Sequence, residues 1–321
     1  MKKVLISCAL VALCMLLIPL TALTDANDAS VLANAVTDDV LKITASPQKF
    51  EEFNILVDGQ VQKIAARDYI FGVVAAEMPA MYEKEALKAQ AVAAYTFACY
   101  RKAVREGEEY DLTADPDTDQ CYISREAAKE KWGENSEEYT AKIDGCIDEV
   151  LGTLVTYDGE TALTVYHAIS PGVTVNCKDV WTSEVPYLTS VDSMGDKLSD
   201  GYLSEAIFTA DQLSETLKSI SSPNGEPQNY FANITTAESG RVTSIDYCGK
   251  KIGGGELSKA LSLRSANFSV EYKDGNFIFT VMGYGHGVGM SQNGANYMAK
   301  QGSSYEEILL HYYEGTTLQK N

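Results

Sequence analysis

A single carboxylic acid, Glu77, stands between Ala76 and Met78-Pro79 in an otherwise apolar stretch of the sequence. Apolar neighbours disfavour the ionised form, and a helix predicted over residues 67–76 places its negative end beside this side chain. We therefore expect the pKa of Glu77 to be raised, so that the carboxyl can donate a proton to a leaving oxygen near neutral pH. A solvated glutamate at a helix end is the alternative interpretation of these residues alone.

A glycine-dense segment, residues 285–292 (GHGVGMSQ), is the second candidate for chemistry. Glycine has no Cβ, so such a segment can approach a bulky ligand closely. His286 stands between two glycines, where packing alone does not explain it. Ser291 lacks the G-x-S-x-G setting of a serine nucleophile. Together with Glu77, the segment predicts a site for a polar polymer rather than for a nucleotide.

No second carboxylate stands out in an equally apolar setting, although glycoside hydrolysis usually needs two. When a hydroxyl of the substrate itself attacks, no water has to be activated, and the intramolecular geometry supplies an effective molarity of about 10⁵–10⁸ M. Glu77 can then act first as acid and afterwards as base. His167, at the end of a predicted strand, either contacts a sugar or is a core histidine satisfied by the backbone.

The composition of the 321-residue chain indicates a globular protein, since 45% of the residues are hydrophobic and 22% are charged. The formal net charge of −19 argues against nucleic acid and against anionic lipid surfaces as partners, because phosphate binding needs a basic patch. A weakly charged substrate fits this balance better.

The N-terminal segment begins with Lys2 and Lys3 and is then uncharged over residues 4–23. This is about 20 residues, the length of a membrane-spanning helix, and the lysines keep its start in the cytoplasm. The sequence thus predicts a transmembrane anchor over residues 1–23, a spacer over 24–46 and the working domain over 47–321, outside the cell membrane. A cleaved signal peptide is the alternative for the first segment.

The patterns of the working domain predict an α+β fold, with mixed helices and antiparallel strands around a substrate cleft. Asp58-Gly59 between two alternating segments indicates a hairpin. Pro79 ends the helix that precedes Glu77. The other predicted elements are helices over residues 85–104, 126–150, 204–219 and 305–313, and strands over 242–247 and 277–281.

A metal site is poorly supported by the spacing of acidic, histidine and cysteine residues. Asp115, Asp117, Asp119 and Glu126 mimic a calcium-binding loop, but its sixth position is Gln120, where the sharp turn requires glycine. A solvated acidic loop is the better account of this segment. The chain has no CxxC pair and 3 histidines, so a structural zinc site is weakly supported and no cofactor is predicted.

Five separated blocks, in order, make this chain resemble the stage II sporulation protein D family, the membrane-anchored peptidoglycan lytic transglycosylases of endospore-forming bacteria. The resemblance runs from about Gln48 to the C-terminus. Its blocks are residues 69–94 (YIFGVVAAEMPAMYEKEALKAQAVAA), Gln120 with Tyr122, residues 166–181, residues 263–268 (LRSANF) and residues 285–295 (GHGVGMSQNGA).

The resemblance implies cleavage between N-acetylmuramic acid and N-acetylglucosamine during sporulation engulfment, on glycan strands already stripped of peptides, leaving 1,6-anhydro ends. Glu77 falls at the position of the family's catalytic glutamate, and the C6 hydroxyl of the muramic residue is the internal nucleophile. A membrane-anchored cell-wall amidase and a membrane scaffold of the engulfment machinery are the implied partners. The implied glycan contacts are Gln120, Tyr122, His167, Ser170, His286, Ser291 and Gln292.

The chain departs from the family pattern at Ser170-Pro171-Gly172, where relatives often have Ser-Gly-Gly or Ser-Ser-Gly, and proline removes a hydrogen-bond donor there. Some relatives bind zinc near the Gln120 block, but here that block has Cys121 and no histidine, so zinc is not implied. The blocks with Cys121 and Cys177 are expected to meet at the cleft, and a disulfide between them is a hypothesis. A non-enzymatic module that stimulates a cell-wall amidase is the alternative function.

Overall fold

A computed structural model describes residues 45–320, with gaps at 117, 182 and 224. The predicted anchor over residues 1–23, and residues 24–44 of the predicted spacer, lie outside the described residues. Within the described part of the chain, no helix combines the length and the apolar character needed to cross a membrane. The described residues form helices and largely antiparallel sheets, which confirms the predicted α+β class.

The first element of the described chain is a β-hairpin, which confirms the hairpin predicted at Asp58-Gly59. Strand β1 (Glu52–Val57) pairs antiparallel with β2 (Gln60–Ala65). Asp58 and Gly59 both have positive φ, 48° and 76°, a conformation that aspartate tolerates and glycine adopts freely. The chain then passes directly into α1 (Ala66–Glu77), the predicted helix extended to include Glu77 itself.

The alanine-rich helix α2 (Lys84–Val104) lies at the centre of the larger hydrophobic core, as the predicted helix over residues 85–104. Most of its length is buried, and its small side chains let neighbouring helices approach closely. The helices in contact with it are α1, α4 (Ser136–Val150), α7 (Gln292–Lys300) and α8 (Tyr305–Tyr312).

The single helix predicted over residues 126–150 is in fact two helices, α3 (Arg125–Trp132) and α4. Gly133 separates them with φ 55° and begins a 3₁₀ turn. A left-handed residue cannot continue an α-helix, and glycine takes that conformation without a Cβ clash.

The helix predicted over residues 204–219 is wrong in its first part, which is the strand β7 (Leu203–Thr209). Exposure alternates residue by residue along β7, the two-residue period of a strand with one face packed. Helix α5 (Ala210–Thr216) begins only after Thr209, where the side chains of Thr209 and Gln212 form a capping box.

A second, smaller hydrophobic core lies between two three-stranded sheets, ordered β11-β12-β7 and β10-β9-β8. The predicted strands over 242–247 and 277–281 are confirmed within these sheets. The elements not yet given are β3 (Leu112–Thr113), β4 (Leu154–Tyr157), β5 (Glu160–Thr161), β6 (Tyr166–His167), β8 (Phe231–Thr236), β9 (Val242–Tyr247), β10 (Lys250–Gly253), α6 (Gly254–Ala260), β11 (Phe268–Lys273), β12 (Asn276–Met282), β13 (Met290–Ser291) and β14 (Thr317–Gln319).

Two very short strands bring distant parts of the sequence together. Strand β6 pairs parallel with β13, so that Tyr166 lies beside Met290 and His167 beside Ser291. The histidine-containing block near residue 167 therefore lies against the glycine-dense segment 285–292, as the expected cleft requires.

Candidate functional site

Glu77 is the last residue of α1. The helix ends there because Pro79 follows two residues later, and a lysine caps the carbonyl groups of its last turn. Met78 has extended backbone angles, φ −123° and ψ 138°, as expected before a proline. The Lys131 ammonium, from α3, donates to the carbonyl oxygens of Ala75 (3.0 Å) and Ala76 (3.3 Å). This cation satisfies two carbonyl groups at the end of the helix. Its positive charge opposes the negative helix terminus, which was one of the two reasons to expect a raised pKa for Glu77.

The Glu77 carboxylate receives a hydrogen bond from the backbone N–H of Cys121, with 2.9 Å between Oε1 and the nitrogen. The segment around Cys121 reaches α1 because Gly72 has no side chain. A Cβ on Gly72 would lie 2.3 Å from the Tyr122 ring and 2.4 Å from the Ile123 oxygen. The sequence therefore needs a glycine at this point of α1 to hold the carboxylate.

A cavity of about 180 Å³ opens beside Glu77, and we call it the histidine cavity. It gathers residues from α1, from the segment after β3, from β6 and from the glycine-dense segment. The side chains that matter for chemistry among its lining residues are those of Glu77, Cys121, Tyr166, His167, His286 and Gln292.

The two histidines of this cavity are both buried, and their rings lie 5.7 Å apart. Nδ1 of His167 donates to the Val288 carbonyl oxygen (3.1 Å), which can only accept. Nδ1 of His286 accepts from the Val288 N–H (3.0 Å). One residue, Val288, thus fixes opposite tautomers, and the buried Nε2 atom of His167 has no hydrogen-bond partner among the described residues.

Burial keeps both imidazoles neutral. Desolvation lowers the pKa of His167 to about 4, although its bond to Val288 works in the other direction. Desolvation also lowers the pKa of His286, with further contributions from His167 and Arg241. At neutral pH the cavity wall is therefore uncharged on this side.

Asp196 is a buried carboxylate that the sequence patterns did not single out, and it ties the two histidine-containing segments together. It accepts from the Ser170 backbone N–H (2.9 Å) and from the Ser193 and Ser291 hydroxyls (2.9 and 2.8 Å). Burial raises the pKa of this carboxyl, and these donors counteract the shift. Nothing local in its sequence, a Gly-Asp-Lys segment, marks it as a buried residue.

Three of the predicted glycan contacts lie behind the cavity wall. Ser170 and Ser291 are fully buried, and the Ser291 hydroxyl also accepts from the Gly294 N–H as the N-cap of α7. The buried Gln120 amide donates to the Tyr69 hydroxyl (3.2 Å), and its oxygen accepts from Tyr166 (2.8 Å). Their polar groups are used inside the fold.

Of the other predicted glycan contacts, three line the histidine cavity and one, Tyr122, lies outside it. His167, His286 and Gln292 line the histidine cavity. Tyr122 is half-buried and stacks on Tyr69, with ring centroids 5.6 Å apart, outside the cavity lining. The structure therefore brings Glu77, His167, His286 and Gln292 together at one surface.

Asp119, an acid of the segment predicted to be a solvated loop, is not solvated. Asp119 is fully buried and forms ion pairs with Arg101 of α2 (2.7 Å) and with Arg105 (2.9 Å), the residue after the end of α2. Asp111 lies 2.6 Å from the Lys102 ammonium. The acids were expected in water because their basic partners lie 9 to 18 residues earlier in the chain, from Lys102 before Asp111 to Arg101 before Asp119, and no local pattern reveals such pairs.

The described residues contain neither a cluster of side chains that could hold a metal ion nor a disulfide bridge. No group of three or more His, Cys, Asp or Glu side chains there could hold a metal ion. The hypothetical bridge between Cys121 and Cys177 does not form, and no other disulfide joins the cysteines of the described part. The Cys177 thiol instead lies 3.3 Å from the Ser183 carbonyl oxygen.

A second depression, of about 390 Å³, also borders Glu77, and we call it the aromatic depression. Ala76 and Glu77 line both it and the histidine cavity. Its side chains include Met81, Trp132 and Tyr139, which were not predicted as site residues. A helical sequence such as 126–150 shows apolar residues but not which of them border a cleft.

Comparison with known proteins shows the family of this chain. The family model described as stage II sporulation protein matches residues 58–157, which include Glu77 and Cys121. Stage II sporulation protein D of Bacillus amyloliquefaciens is 36% identical over 264 residues, covering 81% of this chain and 76% of that protein. The protein of the same name from Bacillus subtilis (strain 168) is 35% identical with the same coverage. The chain therefore belongs to the stage II sporulation protein D family, a family of sporulation proteins.

A more distant relative carries a different name. The amidase enhancer of Bacillus subtilis (strain 168) is 26% identical over 298 residues, which cover 77% of this chain but 40% of that protein. The similarity thus concerns a part of that longer protein.

Proposed function

We propose that this protein is a peptidoglycan lytic transglycosylase. It cleaves the bond between N-acetylmuramic acid and N-acetylglucosamine in peptide-free glycan strands and leaves 1,6-anhydro ends. The observation that carries the proposal is the place of Glu77, a carboxyl group at the boundary between two depressions in one surface. An acid that protonates a glycosidic oxygen has to stand at such a boundary, with a sugar on each side.

A mechanism with one carboxylate is favoured over hydrolysis with two. The other carboxylate among the described lining residues, Asp119, is fully buried and neutralised by Arg101 and Arg105. It is not available to activate a water or to attack a sugar carbon. The nucleophile then has to come from the substrate.

The proposed reaction uses Glu77 twice. Its proton passes to the bridging oxygen while the bond from that oxygen to C1 of the muramic residue breaks. The C6 hydroxyl of the same residue forms the new bond to C1, and its proton returns to the Glu77 carboxylate. No water is consumed, and the enzyme ends in its starting protonation state.

The remaining predicted residues take two kinds of role in this proposal. His167, His286 and Gln292 border the substrate in the histidine cavity, with both imidazoles neutral. Gln120, Ser170 and Ser291 act through other groups as positioning residues, because their side chains are bonded inside the fold. Tyr122 supports the segment that donates to Glu77.

The test is product formation by the full chain on purified glycan strands from which the peptides have been removed. Mass spectrometry of the products should show anhydro-muramic ends. Glu77→Gln preserves the side-chain shape but removes the acid, so we expect at least about a hundredfold loss of rate. Glu130→Gln is the matched control, because Glu130 is exposed on α3, and it should keep full activity. Retained turnover by Glu77→Gln would refute the proposal.

Stimulation of a cell-wall amidase is a second candidate function, favoured by the similarity to the amidase enhancer. The Glu77→Gln variant distinguishes the two functions, because only the transglycosylase needs the acid. An amidase assay with this variant should show undiminished stimulation if the role is purely that of a binding module.

The proposed setting depends on the predicted anchor over residues 1–23. The working domain lies on the extracytoplasmic side of the cell membrane, where glycan strands are found. A membrane-anchored amidase that removes the peptides, and a membrane scaffold of the engulfment machinery, are the proposed protein partners.

A further inference from the structure

The aromatic depression and the histidine cavity both border Glu77. Both are lined by Ala76 and Glu77, so they meet at the end of α1. If the Glu77 carboxyl reaches a bridging oxygen, the sugars joined by that oxygen lie on opposite sides of it. One sugar faces the histidine cavity, and the other faces the aromatic depression.

The chemistry of the aromatic depression differs from that of the histidine cavity. Met81 is 71% exposed, and Trp132 and Tyr139 are half-buried beside it. The cation among the lining residues, Lys131, is bonded to the carbonyl oxygens of Ala75 and Ala76. The surface offered to a ligand is therefore mainly apolar and aromatic, with few hydrogen-bonding groups.

This apolar surface is held in place before any ligand binds. The Trp132 ring packs edge-on against Phe71 (6.0 Å, 78°) and Tyr139 (5.8 Å, 88°). The Lys142 ammonium donates to the carbonyl oxygens of Ala80 (2.9 Å) and Tyr82 (2.5 Å), which flank Met81. A ligand does not have to order these groups, so less of the binding free energy is lost on association.

We propose that Met81, Trp132 and Tyr139 form a sugar-binding subsite, which takes the pyranose ring on the side of Glu77 opposite the histidine cavity. The proposal rests on the proposed function. A pyranose ring has a face of C–H groups that packs on apolar and aromatic side chains, while its hydroxyls stay in water at the rim. The subsite therefore recognises the ring and tolerates its substituents, whereas the polar histidine cavity contacts substituents.

The test is a binding measurement in the absence of cleavage, by isothermal titration calorimetry with the Glu77→Gln full chain. The probe is a purified, peptide-free glycan strand long enough to cover both depressions. Met81→Ala and Tyr139→Ala should each weaken binding about threefold to tenfold, since each removes apolar surface that the sugar covers. Met81 is so exposed that its loss should leave the melting temperature unchanged.

Leu203→Ala is the matched control, because Leu203 is an apolar residue on β7 that is 59% exposed and lies outside both depressions. It should bind glycan as tightly as the parent. Unchanged affinity in both Met81→Ala and Tyr139→Ala overturns the subsite, as does an equal loss in Leu203→Ala or the absence of glycan binding by the parent.

The subsite and the catalytic proposal fail in different ways. If these variants weaken binding but the unmutated chain forms no anhydro ends, the subsite stands and the transglycosylase proposal falls. If anhydro ends form while both variants bind glycan like the parent, the subsite alone is overturned.

Discussion

At the scale of single residues, Val288 has an influence larger than its apolar side chain suggests. Its N–H and carbonyl oxygen bond to Nδ1 of His286 and of His167, respectively. A protonated His286 could no longer accept the Val288 N–H, because both ring nitrogens would then be donors. The backbone and the burial of the rings therefore act together to keep both histidines neutral.

We expect His167 to titrate far below an ordinary histidine, with a pKa of about 4. Between this value and its unfolded pKa of about 6.5, the unfolded chain binds more protons, so stability falls as pH is lowered through that window. For His167 alone the loss between pH 7 and pH 5 is about 2 kcal/mol, and His286 acts in the same direction. Asp196, whose pKa is raised by burial, acts in the opposite direction. Histidine NMR titration tests this, and a pKa near 6.5 for His167 would contradict it.

A second expectation concerns the buried Asp196 carboxylate. Asp196→Ala leaves the Ser170 N–H and two serine hydroxyls without their acceptor, which should lower the free energy of unfolding by about 2–3 kcal/mol. It should also reduce glycan cleavage, because the pairing of β6 with β13 loses its support. Urea unfolding measures the first effect. Asp200→Ala, at an exposed position nearby, should change neither quantity, and an Asp196→Ala protein as stable as this control would disprove the role.

At the scale of elements, the end of α1 is built by three separate parts of the chain. Pro79 limits the helix, Lys131 caps its carbonyls, and the Cys121 N–H reaches the Glu77 carboxylate. The last contact depends on Gly72, where the segment 120–123 crosses α1 in direct contact with the backbone.

Gly72→Ala should therefore destabilise the protein and displace the donor to Glu77. Its Cβ would lie 2.3 Å from the Tyr122 ring, and such overpacking costs about 1–3 kcal/mol. Gly145→Ala is the matched control, since Gly145 is an exposed glycine in α4 whose Cβ would meet nothing within 4 Å. The control should gain about 0.5–1 kcal/mol from better helix propensity. Thermal unfolding of both variants tests the contrast, and a neutral Gly72→Ala would disagree with it.

The elements that the sequence predicted well are those set by local residue patterns. The Asp58-Gly59 hairpin, α1 and α2 arise from turn residues, apolar spacing and alanine content, which act within a few residues. Strand β7 was missed because its outward face carries Leu203 and Ile207. Apolar residues on both faces of a short segment leave its period ambiguous, and only the pairing with β12 decides it.

At the scale of the whole molecule, both hydrophobic cores contribute to the site. The larger core carries Glu77 on α1 and also includes Val288 and Met290 of the glycine-dense segment, while residues next to the smaller core contact the backbone of Gly285 and His286. The Arg241 guanidinium, beside Val242 of the smaller core, lies 3.4 Å from the His286 carbonyl oxygen. The Arg264 carbonyl oxygen, beside Leu263 of that core, accepts from the Gly285 N–H at 2.9 Å. The shape of the histidine cavity thus depends on residues far apart in sequence.

The same dependence explains which site residues could be predicted. Glu77, His167, His286 and Gln292 stand out by residue type and setting, and the structure gathers them at one cavity. The roles of Asp196, Val288 and the aromatic depression arise from contacts between segments, which no local pattern encodes. For the same reason Ser170 and Ser291 could not be recognised as partners of a buried carboxylate.

A substitution that destabilises the smaller core should also lower activity at the cleft. Phe279→Ala removes a fully buried ring that packs against Phe208, Phe231 and Phe268, which should cost about 3–5 kcal/mol and lower glycan cleavage in parallel. Ile207→Ala, on the exposed face of the neighbouring strand β7, should cost less than about 0.5 kcal/mol and leave cleavage intact. Urea unfolding and a cleavage assay measure the pair. Full activity in a Phe279→Ala protein whose smaller core has unfolded would show that the cleft does not need it.

The source of the oxygen in the new glycan end tests the central claim most directly. Peptide-free strands are incubated with the full chain in water enriched in heavy oxygen, and the muramic ends are examined by mass spectrometry. If Glu77 acts alone and the substrate's own C6 hydroxyl attacks, every new end is an anhydro sugar that lacks one water and carries no heavy oxygen. Ends with an ordinary reducing sugar and heavy oxygen at C1 would mean that water attacks, and would contradict the account.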